Sequence, residues 1–214
     1  MSRSKTIRLI FGVAALLVLQ VPFAARAICG TVPPPNVPNM DHVPSTMTAP
    51  PVSKVFLGGF EIEFERTTLA QVRSAIGVGV VQHQGDAASS EDFICYSDDP
   101  GRRIWISSGE LGGHEHAVTS IYATVSSAAP RNVDCPELPA RFRSISIGKG
   151  IWLGSSASST ERVLGNPSEK RNDWSFYSYS GKVMAGEFDR LTTLAVHVRA
   201  GVIVDLFASQ STTN

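Results

Sequence analysis

The chain has 214 residues, of which 43% are hydrophobic and 18% are charged, and its 19 basic residues balance 19 acidic ones. Proteins that bind phosphate backbones carry a basic stripe. This sequence shows no such stripe, so we expect no nucleic-acid partner. The three cysteines show no Cys-x-x-Cys spacing, so a structural zinc site is not indicated either.

Residues 1–27 have the pattern of a cleavable export signal. Basic residues precede an apolar run from Leu9 to Val21, and residues 25–27 have the small-x-small form that signal peptidase accepts. The run is short for a membrane span of about 20 residues, and an N-terminal anchor is the alternative. Cleavage after residue 27 would remove four of the 19 basic residues and leave 15 against 19 acidic ones, a net charge of −4. We therefore expect a periplasmic or secreted protein without a stable membrane anchor.

Residues 28–53 form a leader with seven prolines and few large apolar side chains. Such a segment buries too little apolar surface to offset the entropy lost on ordering. We expect it to be extended and disordered, and a ligand for a proline-binding partner is the functional alternative. A lipid anchor is not expected, because Ile28 rather than a small residue precedes Cys29.

Cysteine pairing follows from the expected compartment. Thiols tend to pair in oxidising surroundings, and the three cysteines allow three different single bridges. Because Cys29 lies in the leader, we predict a disulfide between Cys95 and Cys135. Cys29 would then be free or intermolecular.

Two short helices are predicted in the remainder of the chain. Thr68 and Gln71 form a capping box ahead of an apolar helical face, and Gly77 supplies the left-handed residue that ends it. Ser156 begins a second helix of the same kind, which Gly165 ends. The two glycines lie 88 residues apart, which indicates a tandem repeat.

Strand-like runs surround each helix in the same order. One run precedes each helix, at residues 55–64 for the first and 145–153 for the second. Three runs follow the first helix, at 93–96, 104–107 and 118–125, and three follow the second, at 174–177, 194–197 and 202–208. We predict an α+β fold of two tandem strand–helix–three-strand modules that form an antiparallel sheet with both helices on one face. Module one is expected over residues 54–130, and the connector with module two over residues 131–214.

Strand alternation predicts which side chains face away from the helices. Phe93, Cys95, Trp174 and Phe176 are expected on the helix side. The opposite face is expected to be open, and its aromatic and polar side chains are the candidate partner-binding residues: Tyr96, Trp105, Tyr122, Tyr177, Tyr179 and His197, with Asp205 nearby. Aromatic residues of this kind are typical of recognition surfaces. Alternatively, the rings pair across strands or are covered by the leader, and a one-residue register error would exchange the two faces.

The order of these motifs resembles a known family. A capped helix ending in Leu164-Gly165-Asn166-Pro167, a tyrosine strand and the hairpin 198–202 resemble the exported modules of the SmpA/OmlA class. The tandem arrangement resembles the β-lactamase-inhibitor-protein fold over about residues 55–210. The resemblance implies that an open sheet binds a protein partner through aromatic residues, here Tyr96, Trp105, Tyr177 and Tyr179. SmpA/OmlA members are typically lipoproteins of outer-membrane assembly, and this chain lacks their lipobox.

Evidence for catalysis is sparse. His114 and His116 could share a strand face and bind zinc with His83 or Asp86, although a solvated hairpin tip explains the same residues. The sequence has neither a Gly-x-Ser-x-Gly elbow nor a phosphate-binding glycine loop. We predict no cofactor and a non-catalytic protein-binding module, such as an inhibitor, an immunity protein or an envelope-assembly factor. A metal-dependent or hydrolytic envelope enzyme and a purely structural envelope protein are the alternatives.

Overall fold

Antiparallel strands dominate the computed structural model, which describes residues 32–40, 42–86, 89–99, 101–125, 134–183 and 187–213. The export signal predicted over residues 1–27 and the cysteine at position 29 lie outside these residues. Within the described ranges, no helix combines the length and the apolar character needed to cross a bilayer.

The described residues form eleven strands and two α-helices. The strands are β1 Lys54–Leu57, β2 Phe60–Glu63, β3 Gln82–Gln84, β4 Glu91–Asp99, β5 Arg102–Gly109, β6 Ser120–Val125, β7 Ile145–Ile147, β8 Glu169–Arg171, β9 Trp174–Val183, β10 Phe188–Arg199 and β11 Val202–Thr213. The helices are α1 Leu69–Ile76 and α2 Ala157–Leu164. Glu110–Gly112 and Ala140–Phe142 form short 3-10 turns.

Eight strands form one large sheet in the order β3-β4-β5-β6-β11-β10-β9-β8, and every pairing is antiparallel. β3 to β6, which follow α1, occupy one half, and β8 to β11, which follow α2, occupy the other. The halves meet between β6 and β11, where Tyr122 lies opposite Phe207. A smaller antiparallel sheet has the order β2-β1-β7. A mostly antiparallel sheet with two helices was expected from the sequence, and the structure shows it.

Local side-chain chemistry determines where the helices begin and end. Thr68 Oγ1 accepts a hydrogen bond from Gln71 N, and Gln71 Oε1 accepts one from Thr68 N, which completes the predicted capping box. Gly77 ends α1 with a φ of 83°. At α2, Ser156 Oγ accepts from Ser159 N in the same way. Caps of this kind stabilise a helix by roughly 1 kcal/mol each.

Both helices and the smaller sheet pack on one side of the large sheet, where the main hydrophobic core lies. Val72 of α1, Ile62 of β2 and Ile147 of β7 are buried there, and Val163 and Leu164 of α2 pack against the same cluster. Full burial of such aliphatic side chains stabilises the fold by roughly 1.5–3 kcal/mol each. We call this side of the large sheet the helix side.

The alternation of β4 and β9 differs from the prediction by one residue. Phe93, Cys95 and Phe176 lie on the face opposite the helices, whereas Tyr96 and Tyr177 lie in the helix-side core. The faces predicted for β5 and β10 agree with the structure. β4 and β9 carry large apolar or aromatic side chains on both faces, so no polar alternation in their sequences distinguishes one face from the other.

Candidate functional site

The face opposite the helices carries a row of aromatic side chains. Strand pairing places Trp105 opposite Tyr122, Tyr122 opposite Phe207, and both Phe207 and Phe176 opposite Ala195. The Trp105 and Tyr122 rings meet edge to face with centroids 5.9 Å apart, an arrangement that stabilises by roughly 0.5–1.5 kcal/mol beyond burial. We call the following cluster the aromatic face: Phe93, Cys95, Trp105, Tyr122, Cys135, Phe176, Ala195 and Phe207, with the partly buried Trp174 at its margin.

The predicted disulfide closes one end of the aromatic face. Cys95 and Cys135 are both buried and form a bridge, with their Cα atoms 4.6 Å apart. The connector beyond the bridge follows β4, since Ser97 N donates to Pro136 O and Leu138 N donates to Ser97 O. The bridge therefore holds the connector against β4 beside the aromatic rings.

Residues 32–40 and 42–43, which we call the crossing segment, lie over the aromatic face. Trp105 Nε1 donates to Val32 O at 2.8 Å, and the Arg171 guanidinium donates to Asn39 O at 2.6 Å. The side chains of the segment that pack against the aromatic face are Val32, Met40 and Val43. The described part of the leader contains neither helix nor strand, but it is held against the sheet.

The chain then passes around the edge of the sheet to the helix side. Thr46 Oγ1 donates to Ser168 Oγ at 2.8 Å, and Met47 N donates to Ser178 O at 3.0 Å. Met47 contacts the helix-side core, in which Val52 is buried. For residues 32–40 and 42–53, which the structure describes, the expectation of a disordered leader is therefore corrected. Composition measures what a segment can bury by itself and not the apolar surface that the rest of the fold offers to it.

A charged and polar group lies beside the aromatic rings. His197 Nδ1 lies 2.6 Å from Asp205 Oδ2, and the same carboxylate accepts a hydrogen bond from the Thr124 hydroxyl and bonds the Tyr122 hydroxyl. The Trp174 ring stacks on the imidazole with centroids 5.0 Å apart. Asp205 thus orients His197 as a carboxylate orients a catalytic base. His197 and Asp205 thus form a fixed polar pair at the margin of the aromatic face.

The structure separates the six predicted partner-binding residues. Trp105, Tyr122 and His197 lie together on the face opposite the helices. Trp105 and Tyr122 are only 3% and 7% exposed, so the face expected to be open is covered. Tyr96 and Tyr177 lie in the helix-side core, with 0% and 1% of their surface exposed. The prediction that these two tyrosines contribute to a binding surface is therefore wrong. Tyr96 is buried because its hydroxyl finds a partner, the carbonyl oxygen of residue 78, at 3.0 Å.

Tyr179 also fails to join the aromatic face. It is partly exposed and lies two residues beyond Tyr177, on the same side of β9. The sequence reasoning missed four aromatic residues that do lie on or beside this face: Phe93, Phe176, Phe207 and Trp174. Phe207 could have been identified from its position opposite Tyr122. This pairing can be recognised only when β6 is known to lie beside β11.

The histidines that were considered as alternative metal ligands have separate contacts. His114 is 95% exposed and contacts Glu115 at 4.0 Å. His83 Nδ1 instead lies 3.1 Å from Asp92 Oδ1, and His116 Nδ1 lies 2.8 Å from Asp92 Oδ2. The two imidazoles are thus each paired with the carboxylate. In the part of the chain that the structure describes, no group of three His, Cys, Asp or Glu side chains has a metal-binding arrangement.

Burial raises the pKa of three tyrosines above the ordinary value of about 10. The pKa of Tyr177 rises to about 12, mainly because the phenol is desolvated. Desolvation also raises the pKa of Tyr96. At Tyr122, the negative charge of Asp205 and its hydrogen bond add to the effect of burial on the pKa. The fold therefore favours the neutral phenol at all three positions.

This preference predicts alkaline unfolding. A raised folded pKa means that the folded state keeps its proton longer than the unfolded state, so stability is full below about pH 10 and falls as the pH rises further. We expect the tyrosinate absorbance of Tyr96, Tyr122 and Tyr177 to appear together with the loss of circular dichroism in this pH range. Replacing Tyr177→Phe should move the transition to higher pH, because one ionising group is removed. Ionisation of Tyr96, Tyr122 or Tyr177 near pH 10 while the fold remains intact would contradict this prediction.

Comparison of the chain with protein-family models, with curated proteins and with solved structures finds no match. No ligand, partner or activity is therefore carried over to it from a similar protein.

Proposed function

We propose that this protein is an exported, non-catalytic protein-binding module that uses the aromatic face to hold a partner. The observation that carries the proposal is how this face is covered. Helices and a second sheet cover the other side of the large sheet, whereas among the described residues an extended stretch of chain and the connector at Cys135 lie against the aromatic face. Tryptophan, tyrosine and arginine are the residues that most often carry binding energy at protein interfaces, and Arg171 lies over the Phe176 ring of the aromatic face.

Two further observations support export and the tandem arrangement. A buried bridge between Cys95 and Cys135 is typical of proteins in an oxidising compartment. The strand order is symmetric about the contact between β6 and β11, with one helix ahead of each half. We infer that each half is one module of a repeat, in keeping with the resemblance to the β-lactamase-inhibitor-protein fold and the SmpA/OmlA modules. An inhibitor, an immunity protein and an envelope-assembly factor all fit this class.

A purely structural envelope protein is the second candidate. It is favoured by the crossing segment itself, because a face that is permanently covered by its own chain presents little surface to a partner. The metal-dependent enzyme has less support, since His114 and His116 have different contacts, Glu115 and Asp92.

Capture of partners from an envelope extract tests the proposal. We expect the wild-type chain to retain a partner protein. The Trp105→Ala and Trp174→Ala variants should bind this partner with an affinity lower by a factor of roughly 30, the equivalent of about 2 kcal/mol for a buried aromatic anchor. The matched control is Val202→Ala, which alters an exposed apolar side chain near the start of α2. If all captured proteins bind the face variants as well as they bind the control, the proposal fails and the structural role is favoured. Circular dichroism checks that each variant is folded.

A further inference from the structure

We infer that the aromatic face recognises an extended, proline-containing polypeptide, and that the crossing segment is an intramolecular occupant of that site. The inference rests on the proposed function and narrows the partner to one class of chain. The observations behind it are the main-chain hydrogen bonds, the length of the segment, and the way its middle is packed.

Side chains of the sheet bind the main chain of the segment at Val32. Trp105 Nε1 donates to Val32 O at 2.8 Å, and Gln82 Oε1 accepts from Val32 N at 3.3 Å. The Gln82 amide is itself held, because its Nε2 donates to Asp134 O at 2.7 Å. Contacts to main-chain groups select an extended backbone rather than particular side chains. Aromatic grooves that bind polyproline helices work in the same way.

The second anchor is Arg171 on β8. Its guanidinium lies over the Phe176 ring, 5.2 Å from the centroid, and donates to Asn39 O at 2.6 Å. The ring thus supports the guanidinium at the point where it reaches the peptide carbonyl. Trp105 and Arg171 therefore hold two carbonyl groups of one segment, seven residues apart.

The distance between these anchors requires an extended chain. Trp105 lies on β5 and Arg171 on β8, five strand intervals apart, or about 24 Å at about 4.8 Å for each interval. Seven residues span about 22 Å as a polyproline helix and only about 10 Å as an α-helix. Four prolines lie between the anchors, at positions 33, 34, 35 and 38. They hold the backbone extended and reduce the entropy that the free segment loses on binding.

The middle of the segment fills the groove incompletely. A cavity of about 280 Å³ lies between residues 34–37 and a floor that includes Ser107, Ser120, Tyr122 and Phe207. Val37 points largely to solvent, with 44% of its surface exposed. The ends of the segment are thus anchored, while its centre borders this cleft. A partner segment with larger side chains at these positions would fill this cleft.

A tethered occupant competes strongly with a partner added in solution. A short linker gives an effective concentration in the millimolar range, so the wild-type face should bind a free peptide weakly. Weakening the apolar contacts of the segment should expose the groove without changing it. The full chain with the substitutions Val32→Gly, Met40→Ala and Val43→Ala serves this purpose, because all three side chains belong to the occupant.

The probe is a synthetic peptide with the sequence of residues 32–43, and binding is measured by calorimetry. We expect the triple variant to bind the peptide at least tenfold more tightly than the wild type. Replacing the four prolines of the peptide with alanine should weaken binding at least fivefold. Adding Trp105→Phe to the triple variant keeps a ring but removes the N–H donor, and should weaken binding about fivefold, the equivalent of about 1 kcal/mol. Trp152→Phe, the same change in the helix-side core, should leave affinity unchanged.

Three results would overturn the inference. They are the absence of peptide binding to a folded triple variant, equal affinity for the proline-free peptide, and equal loss of affinity in the Trp105→Phe and Trp152→Phe variants. A wild-type dimer that dissociates when Trp105→Phe is introduced would also overturn intramolecular occupancy, in favour of exchange between two copies. If the peptide does not bind but capture still depends on Trp174, the inference fails while the proposed function stands. If the peptide does not bind and capture does not depend on Trp174, the inference and the proposed function both fail.

Discussion

Replacing Cys95→Ala and Cys135→Ala together is expected to lower the free energy of unfolding by about 4 kcal/mol. The two residues are 40 positions apart, and a bridge that closes a loop of this length restricts the unfolded chain by about 4 kcal/mol on the chain-entropy account. Both sulfur atoms are also buried beside Trp105, the cross-strand partner of Cys95. Urea denaturation followed by circular dichroism, without reductant, measures the difference.

The same experiment has two controls. Cys29→Ser should leave the urea midpoint unchanged, since Cys29 takes no part in the bridge. Reduction of the wild type should move its midpoint toward that of the double variant. An unchanged midpoint in the double variant would show that the bridge does not stabilise the folded state. Because Gln82 holds Asp134 O next to Cys135, the double variant should also expose the crossing segment to proteolysis sooner.

The helix boundaries were predictable because capping is local. Thr68 and Gln71 are three residues apart, and Ser156 bonds the backbone of a residue three positions later, so the interacting groups are adjacent in the sequence. The disulfide was predictable for a different reason, since few cysteines were available and one lay in the leader. Neither prediction required knowledge of how the strands pair.

The faces of β4 and β9 were not predictable in the same way. Both strands are apolar on two sides, so alternation defines two sets of residues without indicating which set faces the helices. Tyr96 and Tyr177 were expected on the open face from strand alternation, and tyrosine is typical of recognition surfaces. One acceptor is enough to bury a tyrosine hydroxyl, and for Tyr96 it is a carbonyl in the loop after α1. The position of this acceptor depends on tertiary structure.

The aromatic face itself could be predicted in part. Trp105 and Tyr122 were identified from the sequence. Phe176 was missed because β9 was assigned the opposite face, and Phe207 was missed because its partner Tyr122 comes from a strand distant in the chain. The crossing segment was missed for a related reason. Val32 and Met40 are too few to form a core of their own, yet they suffice when the sheet supplies the opposing apolar surface.

Tyr177→Ala is expected to lower the free energy of unfolding by about 3–5 kcal/mol, the range for removing a large aromatic side chain from a core. The ring is 1% exposed and lies in the cluster that contains Leu194 and Val196 of β10. Its removal leaves a cavity that the surrounding strands can close only partly, because the β10 backbone is paired on both sides. Urea denaturation gives the size of the loss.

Tyr179→Ala is the matched control. It removes the same side chain two positions along β9, where the residue is partly exposed, and should destabilise by about 1 kcal/mol or less. Below their unfolding transitions, both variants should capture the same partners as the wild type, because neither ring lies on the aromatic face. Equal losses of stability would contradict the assignment of Tyr177 to the core. Loss of a partner from a fully folded Tyr177→Ala variant would mean that the helix side, rather than the aromatic face, makes the contact.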